Sequence, residues 1–356
     1  MRKTKIHFSN VDFSSRTGPN SFGRRLAHEL TLRGTYEIVS DEKQACDITL
    51  VFIETFKYPY GWDPKFPLNR RKERCKIIHR LDGIWFKNEK EFIENNQSIR
   101  AVYQIADHVI WQSEFDKNMT IHHWGAPNKG TIIRNGIEIS QKKPKNPIAN
   151  SPPFCISSAN WHGQKRPQQT VELFEKIQKI NPGMHLVILG DPPVEWKKYQ
   201  VSTDNEKKKI SEEHQQKTGG SQIFWLDNHF VHFLNSRDHE ECLSYYAAAE
   251  WMIHIGWNDH CPNVCIEAIS QGCPVICASS GGTKEIVGTN GIVIPESNGP
   301  WGIEYDYRLY DYDNPPKLDF STFELPNRLK VDPNSVDIKK VTDRYIQVFD
   351  EVLNER

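Results

Sequence analysis

Short apolar runs alternate along this chain with stretches whose apolar residues recur at helical spacing. That is the pattern of βα units laid around a parallel sheet. In the first half, KIHF (5–8) precedes a glycine-containing turn and a helical stretch from Ser21 to Arg33. ITLVFIE (48–54) and KIIH (76–79) read as further buried strands. A helix near Glu89 to Ala106, the strand HVIW (108–111), a helix from Glu114 and the strand TIIR (131–134) follow.

After Ser140 the text becomes QKKPKNPIANSPP, whose prolines and scarce apolar residues make it a linker. A second series then starts: the strand FCIS (154–157), a helix near Gln168 to Ile180 and the strand HLVIL (185–189). Residues 195–220 are a polar, charged insertion. HFVHF (229–233) resumes the sheet, then a helix near Glu240 to Ala249, the strand WMIHI (251–255), a helix after Asn263, the strand PVICA (274–278) and a helix near Thr283. Val336 to Leu353 carries apolar residues at helical spacing and reads as a docking helix.

The pattern predicts an α/β chain of two doubly wound domains with parallel sheets. Their limits fall at 1–140 and 154–335, with a linker at 141–153 and a helix at 336–356 packing back toward the first domain. Open parallel sheets bind ligands beyond the carboxyl ends of their strands, so the cleft between the domains is the expected site.

A length of 356 residues fits this division, since single domains hold about 100–200 residues. The net charge of -1 gives no global positive field, and nucleic acid is not expected as a partner. No stretch approaches the ~20 apolar residues of a membrane-spanning helix, and KIHF is too short for a secretory signal. The expected location is cytoplasmic, with peripheral contact at the inner membrane face left open. Cys261, Cys265, Cys273 and Cys277 do not have knuckle spacing and cross a helix and a strand, so they read as buried reduced thiols rather than a zinc site.

The most informative text is NDHCPNVCIEAISQGCPVICASSGGTKEIV (258–287). Asp259 on a loop and Glu267 on the following helix can face one ligand. Pro262 at the helix entrance leaves no unsatisfied donor, and the N–H groups from Asn263 onward suit a phosphate or sugar hydroxyl. Gly281-Gly282 allows backbone to approach a ligand or a neighbouring element. Lys165 and Arg166 follow a strand and precede a helix, offering fixed positive charge. Gly18 and Gly23 have Walker A spacing, but Arg24-Arg25 stand where Lys-Ser/Thr is required, which excludes a P-loop. Asp311-Tyr312-Asp313 is a literal Asp-x-Asp in an irregular stretch, and no essential metal is expected from it. KYPYGWDPKFPLNRRKERCK (57–76) mixes aromatic and basic residues between strands.

These motifs resemble the retaining glycosyltransferases of family 4, which have the GT-B fold of two facing Rossmann-like domains with an interdomain cleft. The matching positions are Asp259, Glu267-Ala268, Gly272-Cys273-Pro274-Val275, Gly281-Gly282 and Glu285-Ile286-Val287. The first acid is Asp259 where the family pattern has glutamate. The resemblance implies that Glu267 binds the donor ribose and that the loop through Pro262, Asn263 and Val264 cradles sugar and diphosphate. It implies that Lys165 neutralises the diphosphate. The family arginine position falls on Asn160, leaving Arg166 as the substitute cation. Gly18, Pro19 and Asn20 match the glycine loop that approaches the donor phosphates, and His79 matches a histidine beside the transferred sugar. VIWQSEFDKNM (109–119) and IIRNGIE (132–138) match fold markers of the first domain.

The implied reaction is metal-independent transfer, with retention, from a UDP- or GDP-sugar to a glycan, lipid-linked or other hydroxyl acceptor. No cofactor beyond that donor substrate is implied. A nucleotide-sugar 2-epimerase of similar fold and an inactive nucleotide-sugar-binding protein are the alternatives.

Overall fold

A computed structural model of the protein describes residues 2–15, 18–39, 41, 44–52, 75–85, 92–190, 196–198, 212, 224–226, 229–296 and 314–355. Asp311-Tyr312-Asp313, most of 57–76 and most of the 195–220 insertion lie outside the described residues.

The first body is built on β1 (Thr4–Ser9), α1 (Gly18–Leu32), β2 (Tyr36–Val39), β3 (Ile48–Val51), β4 (Lys76–Arg80), α2 (Phe92–Ile105), β5 (His108–Trp111), α3 (Glu114–Trp124) and β6 (Gly130–Ile132). Its six strands run in the order β2-β1-β3-β4-β5-β6, and each pairing is parallel. The second body follows with β7 (Phe154–Ser158), α4 (Pro167–Ile180), β8 (His185–Leu189), β9 (Trp196–Lys198), β10 (Phe224–Leu226), β11 (Val231–Leu234) and α5 (His239–Ala248). It is completed by β12 (Trp251–His254), α6 (Asn263–Ser270), β13 (Val275–Ala278), α7 (Thr283–Val287) and β14 (Gly291–Ile294). The second sheet is also six-stranded and parallel, in the order β11-β8-β7-β12-β13-β14, while β9 and β10 pair with each other. The two parallel sheets flanked by helices are the GT-B architecture.

The strands are nearly all apolar because both faces are covered, the usual composition of parallel sheets. On the first sheet, α2 contributes Ile99, Val102 and Tyr103 to one face, against Ile77, Leu81 and Val109. The other face meets α1 through Phe22, Leu26 and Leu30, and also meets α8 (Ile338–Asn354). Ile338, Tyr345, Val348, Phe349 and Val352 form one buried stripe of α8, at the spacing that aligns residues on one helix face. Tyr345 packs against Phe22 with ring centroids 5.9 Å apart, and Phe349 against Tyr36 at 6.1 Å. Asp337 caps the helix by accepting from the Lys339 N–H at 2.9 Å.

The chain passes between the bodies twice at one place. The Ile137 N–H donates to Val336 O at 2.9 Å, and the Ile338 N–H donates to Ile137 O at 2.9 Å. Ile137 and Asp337 form an isolated parallel bridge. Beyond the crossing, residues 141 and 142 lie against the end of α6, where the Lys142 N–H donates to Gln271 Oε1 at 2.9 Å.

Four strands are additional to those the apolar runs predict: β9 and β10, which pair only with each other, and β2 and β14, which are edge strands of four residues. A short edge strand needs only partial apolar cover, and YEIV and GIVI therefore leave little pattern to read. Helix α1 starts three residues before the predicted Ser21, because Gly18 and Pro19 themselves enter its first turn. All eight cysteines are free thiols. Burial pushes the Cys261, Cys273 and Cys277 thiols up to about 12. No helix among the described residues is long and apolar enough to cross a membrane.

Truncating Phe349, which is fully buried between α8 and the first sheet, leaves a cavity in that interface. Phe349→Ala is expected to lower unfolding free energy by about 3–5 kcal/mol, measured by urea denaturation.

Candidate active site

In the second sheet β7 lies between β8 and β12, and the strand order reverses there. Such a switch point opens a crevice beyond the carboxyl ends of the two central strands. The loop after β7 leads through Ser158, Ala159 and Asn160 to a 3₁₀ turn at Gly163–Lys165. The loop after β12 carries Asp259 and ends at Pro262, the cap of α6. Backbone and side chain tie the loops together: the Trp257 N–H donates to Gln164 O at 2.8 Å, and Gln164 Nε2 donates to Trp257 O.

That tie brings Lys165 and Asp259 into a direct ion pair. The same Asp259 oxygen, Oδ2, lies 3.2 Å from His254 Nε2. Burial opposes ionisation of Asp259, but Lys165 and His254 outweigh it and hold the carboxyl well below the usual carboxylate range. Asn258, with φ of 52°, turns the chain just before this acid.

Glycines let the next element close on the loop. Gly281 has φ of 69°, and a Cβ there would stand 2.6 Å from Asp259 O; a Cβ on Gly282 would stand 2.1 Å from His260 O. The Gly-Gly pair thus serves close packing of the α7 entrance against the Asp259 loop, where the Gly282 N–H donates to Asp259 O at 2.8 Å.

Glu267 points from α6 toward the first body. Its Oε1 accepts from Arg25 Nη2 at 2.9 Å and lies 3.1 Å from His239 Nε2. Burial again works against the charged form, while His239 and Arg25 together leave the carboxyl below its ordinary value. Asn263, at the start of α6, donates through Nδ2 to Gly18 O at 2.9 Å and accepts at Oδ1 from Asn135 Nδ2 at 3.0 Å. The starts of α1 and α6 are therefore held against each other.

The facing wall of the first body is a polar cluster at the carboxyl end of β4. Arg80 is fully buried, with its guanidinium over Phe22 at 4.7 Å and Phe52 at 5.1 Å. It pairs with Asp82 and donates to Asn135 Oδ1 at 2.6 Å, while Gln112 Nε2 donates to Asp82 Oδ1 at 2.9 Å. Two further contacts join the bodies beside the cleft. His260 Nδ1 bonds Asp116, and Glu285 accepts from the Glu114 and Phe115 N–H groups at 2.8 and 3.1 Å, as an N-cap supplied from the opposite body. Arg134 Nη2 donates to the same carboxylate at 3.1 Å.

These elements enclose a cavity of about 1010 Å³. Gly18, Pro19, Lys165, Asp259, Pro262, Asn263, Val264 and Glu267, all singled out from the sequence, line it. Three other candidates do not. Arg166 is fully buried in the second body, where its guanidinium forks onto Glu296 at 2.9 and 3.1 Å and donates to Pro316 O at 2.9 Å. It adopts φ of 51° at the entrance of α4, which turns its side chain inward, so the structure does not bring this cation to the cleft. His79 is wholly buried within β4, on the same face as Ile77 and Leu81, where α2 covers the sheet. Asn20 is buried in the first turns of α1 and accepts at Oδ1 from the Asp12 N–H at 2.8 Å.

The structure adds Arg25, Arg80, Asp82, His239, His254 and His260 to the residues in or beside the cleft. Arg80 and Asp82 carried a readable signal, since a charge inside the apolar run KIIHRL needs a buried partner. The histidines had none, because their partners lie on other elements. Among the described residues no group of three or more His, Cys, Asp or Glu side chains is placed to hold a metal ion.

Residues 138–299 match the family model of glycosyl transferases group 1. Solved structures share the fold over the whole length. Sucrose-phosphate synthase from Thermosynechococcus elongatus is 14% identical with a TM-score of 0.60, the alignment covering 100% of both chains. Anabaena HepE, solved in complex with UDP and glucose, is 17% identical with a TM-score of 0.60, over 98% of this chain and 100% of that one. AviGT4, a glycosyltransferase involved in avilamycin A biosynthesis, is 13% identical with a TM-score of 0.55, over 99% of each chain. Comparison with curated protein sequences gives no match.

The depressed carboxyl of Asp259 makes a prediction about acid stability. A carboxyl whose folded pKa lies below the ordinary 3.8 stabilises the fold above that value, and this stabilisation is lost as pH falls through the folded pKa. Asp259→Asn is therefore expected to be less stable than the wild type at pH 5–7, with the gap narrowing below about pH 4. Chemical denaturation across pH 3–7 measures both limbs.

Proposed function

We propose that the protein transfers a sugar, with retention of configuration, from a nucleotide-sugar donor to a hydroxyl acceptor. The donor lies in the interdomain cavity, its nucleotide on the second body. One observation carries the reading: Lys165, Asp259 and Glu267 come from three elements of a group 1 domain and line one cavity at the switch point of its sheet. A UDP-sugar or GDP-sugar is the donor class, and the UDP bound by the structurally similar HepE supports the former. The acceptor, a glycan or lipid-linked hydroxyl, enters along the wall formed by Arg80, Asp82 and Gln112, and a lipid-linked acceptor would bring peripheral membrane contact.

Each residue's role follows from its chemistry. Glu267 accepts hydrogen bonds from the ribose hydroxyls; its two protein contacts both use Oε1, so Oε2 serves the ribose. Asp259 accepts from sugar hydroxyls as a carboxylate, kept ionised by Lys165 and His254. The N–H groups of Asn263 and Val264, at the start of α6, face the diphosphate as orphan donors of a helix start. Lys165 supplies fixed positive charge where negative charge grows on the leaving group.

In the reaction, the bond between the anomeric carbon and the diphosphate oxygen breaks, and the acceptor oxygen bonds to the same face of that carbon. The acceptor proton passes to the departing phosphate oxygen, and no side chain is assigned as a nucleophile. Retention follows from attack and departure on one face. His79, enclosed in the first sheet, is given no contact with the sugar.

Thermal-shift titration with UDP, GDP, ADP and common nucleotide sugars tests the donor class. One nucleotide is expected to stabilise the wild type, and Glu267→Ala to abolish the shift. No shift from any nucleotide would reject the reading. With the donor so identified, Lys165→Ala is expected to lower kcat by about 10²–10³-fold in a sugar-transfer assay. Transfer is expected to persist in excess EDTA, because Lys165 and the α6 N–H groups carry the charge stabilisation.

A further inference from the structure

The charges on the cleft wall are mostly cancelled before any ligand arrives. Arg24, Arg80, Lys165 and Arg237 are the cations lining the cavity among the described residues. Arg80 is bonded to Asp82, Lys165 to Asp259, and Arg237 Nε lies 3.8 Å from Glu241 Oε2. Arg24 has no carboxylate partner among the described residues. Its Nη1 donates to two backbone carbonyls, Phe13 O at 3.1 Å and Ser15 O at 3.0 Å. Carbonyls orient a guanidinium without neutralising it, and three of its five N–H donors stay uncommitted by those bonds.

A departing nucleoside diphosphate carries more charge than one half-neutralised lysine balances. The second cation expected in the β7 loop is missing, since Asn160 occupies the position and Arg166 is committed to Glu296. We propose that Arg24 is the second diphosphate-binding cation, presented from the first body across the cleft. The inference rests on the donor reading above and adds a residue from the other body to its phosphate subsite.

The placement of α1 supports this. The bond from Asn263 to Gly18 O fixes the start of α1 against the start of α6, where the diphosphate lies in that reading. Arg25, the next residue, reaches Glu267 across the same gap. Gly18, Pro19, Ser21 and Arg24 all face the cavity, so the first turns of α1 form one continuous strip along it. A planar guanidinium held at one edge is suited to bidentate recognition of phosphate. Closure of the two bodies on the donor then places positive charge on both sides of the phosphates, and Arg24 contributes only when the bodies are together.

The test compares wild type, Arg24→Gln and Arg24→Lys by calorimetric titration with UDP, GDP and ADP and with uridine, guanosine and adenosine. Glutamine keeps a donor for the Phe13 and Ser15 carbonyls but removes the charge. For the base that the wild type selects, Arg24→Gln is expected to lose about ten-fold or more in diphosphate affinity. Nucleoside affinity should stay unchanged, and lysine should restore part of the loss. Equal weakening of diphosphate and nucleoside would overturn the inference in favour of a loop-tethering role. Diphosphate affinity unaltered in Arg24→Gln, with the wild type binding normally, would overturn this inference and leave the donor reading standing. A wild type that binds no diphosphate at all would overturn both.

Discussion

Parallel pairing of β7 with β12, through Cys155 with Trp251 and Ile156 with Met252, is the constraint on which the cleft depends. The strands are adjacent in space yet separated in sequence by two other strands of the sheet, so their following loops diverge to either side and leave a crevice. Lys165 and Asp259 stand one on each loop, and the Gln164–Trp257 clasp sets how far apart they sit. The ion pair is thus a product of the sheet order. Its acid stands on the short loop that leads directly into α6.

The second body does not complete the cleft alone. Polar groups from each body find partners in the other: Asn263 with Gly18 and Asn135, Arg25 with Glu267, His260 with Asp116, and Glu285 with the start of α3. The Glu285 contact satisfies two orphan N–H groups that a free helix would present to water. Most of these groups are small in area and polar, so each exchange of protein for water is close to balanced. Interfaces of this composition hold a preferred arrangement without locking it, which suits a cleft that must admit one substrate and release another.

Much of this was legible in the sequence, for identifiable reasons. Buried parallel strands are continuous apolar runs, so β1, β3, β4, β5, β7, β8, β12 and β13 announce themselves. The α6 region carries several constraints within thirty residues, from the acid at 259 to the glycines at 281 and 282, and they agree in order. What escaped was information held between elements. Arg166 reads as an exposed base at a helix start, and only the left-handed turn at that residue shows that it faces Glu296. His79 is at the end of its strand as expected, yet the alternation of side chains puts Arg80 rather than His79 on the side of α1. A strand's pattern gives the period and leaves open which face meets the cleft, because that depends on how neighbouring helices cover the sheet.

Helix α8 covers the first sheet although it begins at Ile338, long after β6 ends at Ile132. The α8 residues Ile338, Tyr345, Val348, Phe349 and Val352 close an apolar face whose contributors from the first body, Ile6 to Ile133, are made much earlier. Synthesis proceeds from the N-terminus, so the ribosome releases the entire second body before it releases this cover. The first sheet is therefore completed after the second, and the part of this face that α1 does not cover stays open until α8 is made. Such a face is a natural binding site for chaperones on the nascent chain. Completion of the cleft consequently has to follow synthesis of the second body.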